Sequence, residues 1–123
     1  MSNNPVIMIR YAHVLLIYAE AQARSGSVNT DAYAAINAVR KRAGLNDLPA
    51  GLPGTDFVNA VIDERAWEFA GEWNRWFDLV RLERVEAANA NKHPDDLTPA
   101  KPITKENYLM PIPGADALMN PHL

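Results

Sequence analysis

Between Tyr11 and Arg24 the chain reads YAHVLLIYAEAQAR, and no other stretch restricts the fold as tightly. At 100° per residue, Ala, Leu and Tyr occupy almost every direction of the helical wheel. Only a narrow polar strip of His13, Glu20 and Arg24 remains. A helix apolar in most directions must be covered on several sides, so its neighbours have to be packed elements rather than open loops. The most apolar run, Val14 to Ala19, is far shorter than the ~20 residues that cross a bilayer. The expectation is a core helix of a soluble chain.

The flanking punctuation is consistent with helices. Ser25, Gly26 and Ser27 end the first helix, with Gly26 free to take the left-handed conformation. Asn29 or Thr30 caps a second helix with acid at its start, Arg40, Lys41 and Arg42 in its last turn, and Gly44 as its stop. Ala32, Ala34, Ala35 and Ala38 let another backbone come close, so the first two helices read as an antiparallel hairpin. The connector GLNDLPAGLPGT spaces Leu45, Leu48 and Leu52 as if pinned onto a core. Thr55 then caps a third helix running from Asp56 past Val85 as one long element. After Asn91, repeated prolines favour an extended tail anchored by Tyr108, Leu109, Met110 and Ile112. The chain reads as one domain over 1–123, with a leader at 1–8, helices over 9–91 and a tail over 92–123.

The third helix carries the candidate chemistry. Val58, Ile62, Ala66, Phe69, Ala70, Trp73, Trp76, Phe77 and Val80 fall within one arc about 120° wide, a packing face. Phe57, Val61, Leu79 and Leu82 form a second apolar set. Glu64, Glu68 and Glu72 thread through it at i, i+4 and i+8. Carboxylates so placed need counter-charges, with Arg65 and Arg75 nearby and Arg10, Arg40 and Arg42 in reach from the first two helices. One reading is a general acid and base pair, or a metal site with His13 as a ligand. The other, which we favour, is an Arg–Glu network that fixes how three helices stack. Gly71, inside this helix, suggests a neighbour pressed against it. Trp67 lies opposite the main arc, either as a platform for a sugar or partner or as a contact under the tail.

Other chemistries lack their residues. A net charge of −3 with scattered basic side chains gives no nucleic-acid footprint. Zero cysteines exclude disulfides and thiolate chemistry. His13, His93 and His122 share neither an H-E-x-x-H pattern nor a helical face, and no phosphate-binding loop or G-x-S-x-G occurs. No cofactor, metal or catalytic group is expected.

The series IRYAHVLLIYAEAQARSG, AINAVRKRAGL, ERAWEFAGEWNRWFDLVR and YLMPIP followed by NPHL resembles, in that order, the C-terminal part of the SusD/RagB family. These are outer-membrane glycan-binding lipoproteins of Bacteroidetes-type nutrient uptake. The resemblance spans about Ile9 to Leu123. It implies an all-α fold, with a tetratricopeptide-like helical hairpin plus one long helix and an irregular proline-rich C-terminal tail. It further implies no enzyme activity, an outward-facing place on the outer membrane, a SusC-like TonB-dependent transporter as partner, and an oligosaccharide or peptide ligand taken by the full-length protein. The family's motif positions fall on Arg10, Glu20, Asn37, Arg40, Arg42, Glu64, Arg65, Glu68, Arg75, Trp76, Asp78, Arg81, Pro111, Pro113 and Asn120, all in an architectural role. Ligand contacts lie largely elsewhere in the family, leaving Trp67 and Trp73 as candidates here. His13 replaces a common acid, and Trp73 a smaller or polar residue. The opening MSNN reads as a truncated start, without the signal peptide and lipidated cysteine of such lipoproteins.

Three functions follow as expectations. The first is a scaffold portion of a SusD-like glycan-capture protein. The second is a helical-hairpin module that binds proteins or self-associates. The third, an enzyme built on Glu64, Glu68 and Glu72, requires a carboxylate with a raised pKa in an open cleft.

Overall fold

The computed structural model describes residues 8–90, 93, 95 and 102–120. Every regular element among them is helical, so the described residues form an all-α fold. The elements are α1 (Tyr11–Arg24), α2 (Thr30–Arg42), α3 (Gly54–Glu68), α4 (Arg75–Arg81), α5 (Val85–Ala90), a 3-10 turn (Lys105–Tyr108) and α6 (Gly114–Met119). They fall into two units, Met1–Arg75 and Trp76–Leu123. No helix among the described residues is long and apolar enough to cross a membrane.

In the first unit α1 packs against both α2 and α3. It occupies the range its apolar pattern predicts, and its end follows from Gly26 at φ 87°, which lets the Ser27 N–H turn back to the Gln22 carbonyl. The end of α2 repeats this geometry with Gly44 at φ 77° and the Leu45 N–H on the Arg40 carbonyl. At the start of α2 the Asn29 side chain accepts from the Ala32 N–H, so Asn29 is the cap. The core joins Leu16, Ala19 and Ala23 to Ala32, Ala35, Ile36 and Val39 and to Phe57, Val61 and Phe69. Ala32 and Ala35 are buried as expected of close-approach residues, whereas Ala34 and Ala38 are exposed.

The connector between α2 and α3 is tied down by two side chains of α2. The Leu48 N–H donates to Asn37 Oδ1 and the Leu52 N–H to the Tyr33 hydroxyl, each at 2.9 Å. Leu48 and Leu52 pack on the core, while Leu45 is exposed.

The long third helix is not formed. Helix α3 starts at Gly54 after Pro53, rather than under a Thr55 cap, and stops at Glu68. Gly71 at φ 81° and Trp73 at φ 65° interrupt the helical backbone before α4 begins. Nothing lies within 4 Å of where a Gly71 Cβ would stand. Its glycine serves the left-handed turn and not a pressing neighbour. With the helix broken, the proposed apolar arc is broken too. Phe57 and Val61, assigned to the lesser set, are fully buried, while Trp73 (88%) and Phe77 (65%) are exposed.

In the second unit, Glu83 at φ 52° separates α4 from α5, with the Arg84 N–H on the Leu79 carbonyl. The tail is less irregular than its prolines suggested. Thr104 and Asn107 form a reciprocal capping box on the 3-10 turn, and Pro113 starts α6 instead of preventing it. Lys105 pairs with Glu83 at 2.8 Å and the Tyr108 hydroxyl donates to the Glu86 carboxylate, so Tyr108 is an anchor. Leu109, Met110 and Ile112 are exposed, contrary to that expectation. The leader 1–8 lies outside the described residues except for Met8. The same holds for residues 91, 92, 94, 96–101 and 121–123, and hence for His122 and most of NPHL.

Candidate functional site

The three glutamates form a polar cluster in the first unit together with arginines. Glu64 and Glu68 lie on the last two turns of α3, and Glu72 follows just after it. Arginines come from elsewhere in sequence. Arg10 is the extended residue immediately before α1, and Arg40 and Arg42 end α2.

Arg40 donates to Glu64 at 2.7 Å, and its Nε–H donates to the Asn46 carbonyl at 2.9 Å. Glu64 is only 2% exposed, so this pair sits in a setting where an isolated carboxylate would be costly. Arg10 reaches two acids at once. It donates to Glu68 at 2.7 Å, to Glu72 at 2.7 Å, and to the Glu68 backbone carbonyl at 2.9 Å. Arg42 donates to the other Glu68 oxygen. The guanidiniums of Arg10 and Arg65 also stand 5.1 and 5.4 Å from the centre of the Phe69 ring, and His13 packs against that ring at 5.0 Å.

Electrostatics follow from this geometry. The hydrogen bond from Arg10, and then its charge, hold the Glu72 carboxyl below the usual carboxylate range against the opposing effect of burial. Hydrogen bonds to Glu72 and Glu68 in turn raise the Arg10 pKa. A general acid at neutral pH needs a carboxyl shifted upward, so Glu72 is displaced in the wrong direction for that role. Among the described residues no group of three or more His, Asp or Glu is arranged to hold a metal ion. His13 serves as a ring contact in this cluster.

The other motif positions lie elsewhere. Glu20 is buried on α1 and accepts from Arg24 at 2.7 Å, and Asn37 holds the connector. Arg65 is buried, and Arg75 is exposed at the start of α4. In the second unit Asp78 is buried and accepts from Arg81 at 2.9 Å. Trp76 and Pro111 line one shallow groove with Leu109 and Ile112, Pro113 caps α6, and Asn120 follows it. Trp67, 66% exposed, and Trp73 stand open to solvent. Sequence reasoning did not single out Asn46, whose contribution is a backbone carbonyl, or Tyr33 as a connector tie. The Asn46 carbonyl leaves no mark in residue type, and the Tyr33 hydroxyl gives no sign in sequence of which amide it will meet.

A helical unit in which Glu64, Glu68 and Glu72 are each paired with arginines from elsewhere in the chain is a charge-stapled scaffold. The SusD family matches residues 1–123, and the chain belongs to that family. Its members are non-enzymatic binding proteins. Among curated proteins it is 33% identical over 99% of its length to SusD-like protein P2 of Formosa agariphila, of which it covers 25%. It is 35% identical over 95% of its length to SusD-like protein P25 of the same organism, covering 23% of that chain. SusD-like protein P38 is 30% identical over 96% of this chain, again with 23% of its own length covered. The chain thus spans about a quarter of the length of the curated relatives it matches. No solved structure is a significant match.

Proposed function

We propose that this chain is the non-enzymatic C-terminal scaffold of a SusD-like glycan-binding protein. That protein works at the outward face of the outer membrane in nutrient uptake, with a SusC-like TonB-dependent transporter as partner and an oligosaccharide or peptide as ligand. In this reading α1 and α2 form a tetratricopeptide-like hairpin, and Arg10, Glu20, Asn37, Arg40, Arg42, Glu64, Arg65, Glu68, Arg75, Trp76, Asp78, Arg81, Pro111, Pro113 and Asn120 hold the architecture.

The observation that carries it is the binding of Glu64, Glu68 and Glu72 to Arg40, Arg10 and Arg42. Groups so paired support a fold and are poorly placed for proton transfer. Trp67 and Trp73 are the surfaces on which a sugar ring would stack.

The test is an amide NMR spectrum of the chain with a panel of soluble oligosaccharides, following the indole signals of Trp67, Trp73 and Trp76. Dispersed peaks that ignore every sugar fit a scaffold whose ligand contacts lie elsewhere in the longer protein. Shifts at Trp67 or Trp73 would place a sugar contact in this portion. Turnover of any of these sugars would overturn the reading.

A further inference from the structure

In the second unit, residues 109–113 join the 3-10 turn to α6 as an extended segment. Leu109 holds φ −99° and ψ 138°, and Pro113 holds φ −53° and ψ 133°. Met110 and Ile112 each precede a proline, which keeps both out of the helical region. In an extended chain successive N–H groups point to alternate sides. Pro111 and Pro113 have none, and Met110 and Ile112 share the opposite edge. Neither of these two amides makes a hydrogen bond with a described residue. The segment therefore offers main-chain donors on one side only, as an edge strand with its prolines turned away does.

The same segment walls a groove of about 510 Å³ that Trp76, Glu106 and Asn107 complete. Trp76 is 37% exposed, so its indole is seated in the unit with part of its surface open. Among the described residues lining the groove, Glu106 is the only one that carries a charge, and it has no hydrogen bond or ion pair with a described residue. Its neighbour Lys105 is drawn to Glu83 at 2.8 Å. The Thr104–Asn107 capping box fixes the turn on which Glu106 stands. An uncompensated carboxylate beside an indole is complementary to a guanidinium, which stacks on the ring and forks onto the acid. The methylene stem of such a side chain finds its apolar surface on Leu109 and Ile112.

We propose that this groove is a docking site for an extended, arginine-bearing segment of a partner protein. The segment's main chain pairs along the Met110 and Ile112 edge, and its guanidinium stacks on Trp76 and meets Glu106. Main-chain pairing supplies the hold, and the arginine selects the partner. A neutral sugar ring would use the indole but leave Glu106 without a counter-ion. The inference goes beyond the proposed function and rests on neither glycan capture nor the transporter.

The test is an NMR titration of this chain with the blocked tripeptide acetyl-valyl-arginyl-valyl amide, following the Trp76 indole and the Met110 and Ile112 amides. All three signals should move together and saturate. The same tripeptide with glutamine for arginine should bind at least about fivefold more weakly. Glu106→Gln, which removes no contact of the fold, should make the two tripeptides bind alike. Salt gives a second reading that needs no variant: raising the ionic strength from about 0.05 M to about 0.5 M should weaken the arginine tripeptide and spare the glutamine one. Equal affinity of the two tripeptides for the original chain would overturn the proposal, and so would the lack of a saturable shift with the arginine tripeptide. Shifts at Trp76 alone, with both amides unmoved, would also overturn it, because they mean stacking without strand pairing. Cellotriose moving these signals while the arginine tripeptide leaves them in place would overturn it in favour of a sugar groove.

Discussion

The Arg40 guanidinium meets the Glu64 carboxylate at 2.7 Å, with the two side chains 17% and 2% exposed. Removing one partner leaves the other charge without its counter-ion. Arg40→Met should therefore cost about 3–5 kcal/mol. At about 4 °C per kcal/mol for a domain of this size, the midpoint in a circular-dichroism melt should fall by more than 10 °C. The double variant Arg40→Met/Glu64→Leu should recover most of that loss, because an apolar pair of similar volume needs no desolvation of charge. A double variant as unstable as the single one would show that the pair does more than neutralise itself.

Backbone conformation sets the second expectation. Trp73 holds φ 65° while its side chain is 88% exposed, so it bears the strain of a left-handed residue with little burial to offset it. Trp73→Gly should be neutral or stabilising by up to about 1 kcal/mol, and Gly71→Ala should destabilise by about 1 kcal/mol although no atom blocks the new methyl. Urea unfolding of both variants measures the two signs.

Acid should loosen the Arg10 contact with Glu72. The carboxyl pKa is lowered in the folded chain from an ordinary value of 4.5, so its contribution to stability is fully present above 4.5. It is lost as pH falls through the lower folded value. Glu72→Gln should thus flatten the dependence of the melting midpoint on pH below 4.5 and leave its shape near neutrality unchanged. Melts at a series of pH values for both proteins test this, and identical acid limbs would contradict it.

The connector offers a local readout. Asn37→Ala removes the acceptor of the Leu48 N–H and should cost about 1 kcal/mol. Hydrogen exchange at Leu48 should accelerate, while exchange at Leu52, held by Tyr33, should change less. Equal acceleration at both amides would mean that the connector opens as one piece.

How far the chain could be read in advance depended on the kind of signal. Both ends of α1 and the cap of α2 are written in side-chain chemistry, in an apolar pattern bounded by Gly26 and in Asn29, and the structure matches them. The need of Glu64 and Glu68 for arginine partners was legible because i, i+4 spacing fixes a shared face. Which arginines answered was less so, since Arg10 lies 58 positions from Glu68. The break at Gly71 and Trp73 is not legible in the sequence because the aromatic periodicity runs straight through it, and a positive φ at tryptophan has no sequence signature. Asn46 contributes only a carbonyl, and any residue would supply one.

Arg10 stands just ahead of α1 and Glu72 just after α3, 62 positions apart, yet they share hydrogen bonds. The start of α1 and the end of α3 are therefore spatial neighbours. Such a unit can be spliced into a longer polypeptide as a cassette, entering and leaving at nearly one point. By the same topology the unit should tolerate circular permutation, with new termini opened in the exposed turn Ser25–Gly26–Ser27 and a short peptide bridging the old ones.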